Sequence, residues 1–144
     1  MGRVVVHLDS KPKNRSLLSI VSDFEQRLTP RGVILETHQS SRESNQYEAK
    51  LSSLSGTLVI IDENGEHKSS KELASWLESA QLSSKTTHLA IGPPDGFSKQ
   101  LKKSANSLIS LSRLTLTHEM SAALLLEQLY RASEINKGSS YHRE

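Results

Sequence analysis

His88-Leu89-Ala90-Ile91-Gly92-Pro93-Pro94-Asp95-Gly96 sets a short apolar run directly against a glycine-bracketed turn. The run reads as a strand and the turn as its abrupt end, because Gly and Pro are the strongest local breakers. The same pattern recurs on both sides. Leu58-Val59-Ile60-Ile61 is continuous and apolar, as a strand covered on both faces should be, and Asp62-Glu63-Asn64-Gly65 reads as the turn after it. Earlier in the chain, Val4-Val5-Val6-His7-Leu8 and Val33-Ile34-Leu35 are two more β-branched runs. Later, Ser107-Leu108-Ile109-Ser110-Leu111 is a fifth, with Leu114-Thr115-Leu116 close behind.

Helical periodicity fills the gaps. Leu17, Ile20, Val21, Phe24 and Leu28 recur at helical spacing from Ser16 until Pro30 and Gly32 stop them. Ser69-Ser70 offers an N-cap before Leu73, Trp76 and Leu77, and Ser98 can cap a short helix carrying Lys99, Lys102 and Lys103. Ala122, Leu125, Leu126, Leu129 and Ala132 share one face of a long helix from about Glu119 to Asn136, closed by Lys137-Gly138. The serine-rich stretch 40–55 holds at best one short helix, around Tyr47 to Leu54. Strands alternating with helices predict an α/β fold, a mostly parallel sheet with helices on both faces, in one domain over residues 1–144.

Composition narrows the functions. With no cysteine, disulfides, thiolate metal sites and cysteine nucleophiles are excluded. The formal charge of +2 is mildly basic and does not by itself imply nucleic acid. No apolar run approaches the ~20 residues of a membrane span, and the N-terminal run is too short for a signal peptide, so a cytoplasmic protein without membrane contact is expected. The six histidines stand singly at 7, 38, 67, 88, 118 and 142, without metal-ligand spacing, so no metal is expected. Neither G-x-G-x-x-G, a P-loop nor a G-x-S-x-G elbow is present.

Ligands in open α/β sheets bind outside the carboxyl ends of the strands. Three strand-ending segments are candidates: Ile61-Asp62, Ile91 to Gly96, and Leu111 to Thr117. Lys99, Lys102 and Lys103 fall on one helix face, which is most often simply solvated, and Lys11, Lys13 and Arg15 form a basic loop of the same bland kind. The tail Tyr141-His142-Arg143-Glu144 sets an aromatic, a proton carrier and a phosphate-pairing group side by side, where frayed termini are the common case.

Together these segments resemble the ribosomal RNA large-subunit methyltransferase H family of the SPOUT superfamily. The resemblance is carried by Leu89 to Phe97, by Ser110-Leu111-Ser112-Arg113-Leu114-Thr115-Leu116-Thr117-His118, and most strongly by Leu126 to Ala132 and the terminal Tyr141 to Glu144. It spans about the last sixty residues, is weaker over Leu58 to Gly65, and is weakest before that. The resemblance implies a C-terminal deep trefoil knot, with the knot and cofactor site within about 88–144. It implies a homodimer that uses S-adenosylmethionine (SAM) to methylate N3 of pseudouridine 1915 in 23S rRNA of the large subunit or assembled ribosome. Carried over, the SAM contacts are Ile61, Gly92, Leu111, Ser112, Arg113, Leu114, Thr115 and Leu116. His142 and Tyr141 meet the target base as candidate catalytic residues, and Arg143, Lys99, Lys102 and Lys103 hold RNA phosphates. Ser121, Ala122 and Ala123 are expected to let helices approach closely at the dimer interface.

Three positions depart from the family pattern. Pro93 replaces a second glycine, Thr117 a proline that stiffens the loop, and Ala122 an arginine. Two alternatives stay open: an RNA- or ribosome-binding relative without methylation, and a SPOUT enzyme with another RNA target.

Overall fold

The computed structural model describes residues 2–39 and 46–143; Met1, the serine-rich stretch 40–45 and Glu144 lie outside them. Five strands form one sheet: β1 (Val4–Leu8), β2 (Val33–Thr37), β3 (Thr57–His67), β4 (Thr87–Ala90) and β5 (Ser107–Ser110). Their order is β2-β1-β4-β3-β5, and every pairing is parallel. Five helices connect or follow them: α1 (Arg15–Leu28), α2 (Gln46–Ser52), α3 (Ser70–Leu82), α4 (Lys99–Ser104) and α5 (His118–Lys137). A 3-10 turn, Thr29–Arg31, carries Pro30 and ends at Gly32, as the breakers predict.

Side-chain alternation divides each strand between two cores. Val4, Val6 and Leu8, Val59, and Leu89 and Ile91 face the larger core, which α1, α3 and α5 cover. Ile60 and Ala90 face the smaller one with Tyr47, Leu51, Phe97 and Leu101 from the α2 and α4 side. All residues of β1 and β4 are buried, the expected fate of inner parallel strands covered on both faces. In α5 the residues Leu125, Leu126 and Leu129 are sealed, each contributing about 1.5–3 kcal/mol of burial.

Local chemistry explains the helix starts. Ser69 and Glu72 form a reciprocal capping box for α3, and Ser98 caps α4 as expected. Thr117 caps α5 by accepting from the Met120 amide at 3.2 Å. A proline there could not do this, so the departure at 117 supplies the helix cap.

The structure corrects three sequence-based expectations. Asp62 to Gly65 does not end β3: the strand bulges outward and pairs with β5 again, so that Ile61 and Glu66 both oppose Ile109. Gly65 permits this, since a Cβ there would lie 2.6 Å from the Leu108 carbonyl carbon. In α1, Ile20 is 42% exposed, and Val21 and Leu28 supply the sealed contacts. Ala122 and Ala123 are buried in the chain's own core, so of the three small residues only Ser121 keeps partial exposure.

The histidines are not scattered in space. His7 Nδ1 lies 2.8 Å from His38 Nε2, and His7 Nε2 lies 2.8 Å from His88 Nδ1. Neighbouring strands bring them together, although 31 and 81 residues separate them in sequence. Burial, then the neighbouring His88 and His38 and the Lys50 charge, hold the His7 pKa down to about 3, so the ring is neutral at neutral pH.

Candidate active site

Because the sheet is parallel and β4, β3 and β5 are neighbours, their carboxyl ends open side by side. A cavity of about 490 Å³ lies there. Three walls line it: the start of the β3 bulge with Ile61, Asp62 and Glu63; the turn from Ile91 to Gly96; and the loop from Leu111 into α5 as far as Ser121. The volume falls in the range of small-molecule sites, about 300–1,000 Å³.

The middle wall is a β-turn in which Gly96 N–H donates to the Pro93 carbonyl at 2.8 Å. Pro94 and Asp95 occupy its central positions and Gly96 takes φ +77°, a left-handed conformation that disfavours other residues. Pro93 thus serves as an acceptor, and its missing N–H leaves no broken bond in the turn. In the third wall, Ser112 Oγ accepts from the Leu114 amide at 3.0 Å, and its carbonyl accepts from Ser110 Oγ at 2.9 Å. Thr115 Oγ1 donates to Glu63 Oε2 at 2.7 Å, tying this loop to the β3 bulge.

Of the residues expected to contact SAM, Ile61, Gly92, Leu111, Ser112, Leu114, Thr115 and Leu116 line this one cavity. Arg113 is exposed and does not. The three lysines part company. Lys102 joins the cavity wall, with Nζ 3.2 Å from Asp62 Oδ1, whereas Lys99 and Lys103 are exposed outside it. Asp62 and Thr117 fall within the strand-ending segments singled out from the sequence and also line the cavity, whereas Glu63, read as part of a turn, and His118 and Ser121 were not expected there. The signal for the acids was their place directly after an apolar strand, where ligand loops begin.

The tail lies elsewhere in the same chain. Tyr141 stacks edge-on against Tyr130 at 5.0 Å, and its hydroxyl donates to Glu127 at 3.0 Å. His142 Nδ1 accepts from Arg131 at 3.2 Å, and Arg143 is exposed. These partners sit along α5 roughly 14–20 Å beyond His118 at the cavity. Within one chain the structure therefore does not bring His142 and Tyr141 to the cavity. At the α5 end, hydrogen bonds from Tyr130 and Ser139, with Arg31, outweigh burial and hold the Glu134 carboxyl down to about 2.

No helix among the described residues is long and apolar enough to cross a membrane.

Comparison with known proteins places this geometry. A family model described as "Predicted SPOUT methyltransferase" matches residues 4–142. The chain is 38% identical over 126 residues to ribosomal RNA large subunit methyltransferase H of Variovorax paradoxus, covering 83% of this chain and 81% of that one. It is 45% identical over 87 residues to the protein of the same name from Delftia acidovorans, covering 60% of this chain. That match spans 56% of the Delftia protein's length. Among solved structures, a Legionella pneumophila chain with the cofactor SAM bound superposes with a TM-score of 0.52 at 11% identity, covering 92% of this chain and 66% of that one. At that identity the likeness speaks for the fold.

Proposed function

The chain belongs to the SPOUT methyltransferase family, in the branch of ribosomal RNA large subunit methyltransferase H, and on that premise we propose that it methylates large-subunit rRNA with SAM. The finer reading is N3 of the pseudouridine at the position that branch is named for, in a cytoplasmic homodimer acting on the large subunit or the ribosome. The observation that carries the proposal is the strand-end cavity, lined by seven of the eight residues that the family resemblance puts against SAM.

The cavity suits such a ligand. It offers apolar side chains (Ile61, Leu111, Leu114, Leu116) for an adenine and carboxylates (Asp62, Glu63) as acceptors for ribose hydroxyls. Bound SAM supplies an electrophilic methyl group on its sulfonium. The chain's own residues then bind, orient and exclude water, and alignment of the attacking nitrogen is the main demand. His142 is the candidate to take the N3 proton or hold the base, with orientation the larger role. Arg143 and Lys102, with Lys99 and Lys103 further out, face phosphates.

The position of the tail favours a dimer. A tail docked on α5 beyond the reach of its own cavity can serve the cavity of a second subunit. Exposed Leu18 and Ile20 on α1 and Met120 on α5, two helices packed on each other, and Leu114 at 73% exposure offer apolar surface for that contact. We include the trefoil knot in this proposal: the Leu111–Thr117 loop and α5, which line the cavity, are the segments it would thread.

Calorimetric titration with SAM tests the reading. One site per chain is expected, and no detectable binding by folded protein would favour an RNA-binding scaffold. Sedimentation showing a stable monomer at micromolar concentration would remove the composite site.

A further inference from the structure

The three-histidine chain has a direction. Ser55 O can only accept, so His88 Nε2, 3.0 Å away, carries a proton. With one ring proton, held at Nε2, His88 offers a lone pair at Nδ1, and His7 Nε2 is then the donor across 2.8 Å. Neutral His7 in turn presents a lone pair at Nδ1, facing His38 Nε2. Sheet register brings a carboxylate to the same place. His7 on β1 pairs laterally with Glu36 on β2, and His38 follows Glu36 by two residues, so all three side chains leave the same face. The donor atoms of His7, Glu36 and His38 all lie within 4.8 Å of one another.

We propose that His7 Nδ1, His38 Nε2 and a Glu36 carboxylate oxygen bind one Zn²⁺-type divalent transition metal, which clasps edge strand β2 to β1. Two imidazoles and a carboxylate suit such an ion, and solvent completes the fourth position. The surroundings are those of an oriented ligand. His7 donates its other ring N–H to His88, and His88 donates to the Ser55 carbonyl, which fixes both tautomers. Without metal, His38 Nε2–H donates to His7. On binding, that proton relocates to His38 Nδ1 through solvent, with no net proton lost. Two metal–nitrogen bonds of about 2.0–2.1 Å at a tetrahedral angle set the nitrogens ~3.3 Å apart. The present 2.8 Å must therefore widen slightly, which half-buried His38, just beyond the end of β2, can accommodate. Among the described residues, the other charges acting on the cluster are Asp9, which favours a cation, and Lys50, which opposes one. None of the three proposed ligands lines the strand-end cavity, so the site is independent of the methyltransferase reading.

Chelator-treated full-length protein is titrated with Zn²⁺ and with Co²⁺, following heat and visible absorption. One equivalent is expected, with the Co²⁺ bands of a four-coordinate site and a rise in Tm on adding Zn²⁺. His38→Ala and Glu36→Ala should each weaken binding ~10-fold or more, while exposed His67→Ala binds as wild type. Neither His38 nor Glu36 belongs to the sealed core, so both variants can be confirmed as folded by circular dichroism. Failure of wild-type protein to bind Zn²⁺ at ~100 μM, far weaker than structural zinc sites, overturns the proposal. So does undiminished binding by His38→Ala.

Discussion

Replacing Gly65 with alanine probes the wall that β3 and β5 build together. The added Cβ would stand 2.6 Å from the Leu108 carbonyl carbon and 2.8 Å from both the Leu108 oxygen and the Ile109 nitrogen. All three are backbone atoms of β5, so no side chain can swing aside. Carbon atoms rest about 3.5–4.0 Å apart, so the strands must part locally by roughly 1 Å. Overpacking of this kind costs about 1–3 kcal/mol. Among the described residues β5 is an edge strand paired with β3 alone, so its retreat is the available relief. That retreat carries Leu111 and Ser112 away from Asp62 and Glu63, opening the cavity where two of its walls meet. The expected result is a fall in urea-unfolding free energy of about 1–3 kcal/mol with unchanged m, and SAM binding weakened ~10-fold or more. Gly138→Ala is the control: it lies outside the cavity, its Cβ meets nothing within 4 Å, and only the positive φ is penalised, by about 1 kcal/mol. Gly65→Ala with stability within ~0.5 kcal/mol of wild type and intact SAM affinity would refute the packing argument.

Thr117→Ala should cost about 0.5–1 kcal/mol, the lower part of the capping range because the site is exposed, and Thr117→Ser should restore it; equal losses in denaturation midpoint would show that the hydroxyl is idle. Deleting residues 141–144 should abolish methylation while leaving SAM affinity nearly unchanged, and Arg143→Ala should weaken RNA binding and flatten its salt dependence; a truncated protein with wild-type turnover would show the tail to be unused. Glu134 is held below its ordinary range, so its stabilising contribution is full above about pH 4.5 and fades as pH falls toward about 2. Glu134→Gln should flatten that acid limb in pH-dependent denaturation, and an unchanged limb would assign the loss to other carboxylates.

Much of this fold was written locally. The β-branched runs at Val4, Val33 and Leu58 became strands because period and burial agree there, and Ser69 and Ser98 cap helices because capping needs only the next three residues. The strand-end cavity followed from chain direction and the resemblance together. What escaped needed the third dimension. Asp62 to Gly65 has turn composition, and only the presence of β5 beside it makes the segment a bulge that pairs again. His7, His38 and His88 look unrelated because strand adjacency, not sequence spacing, joins them. Ala122 and Ala123 suggested an interface because smallness permits close approach without saying to what; here α5 approaches its own sheet and neighbouring helices. The tail's composition was readable, but its docking on Tyr130 and Arg131 was not.

A strand-end cavity that holds SAM for rRNA methylation must show itself as methyl transfer to RNA. Ribosomes or large subunits lacking the modification, incubated with the protein and isotopically labelled SAM, should yield a single labelled nucleotide, which digestion and mass spectrometry place as N3-methylpseudouridine in large-subunit rRNA. Gly65→Ala should reduce that signal in step with its loss of SAM affinity. Label in a different RNA nucleotide would keep the cofactor site and overturn the target; no label in any RNA, from folded protein that binds ribosomes, would contradict the account.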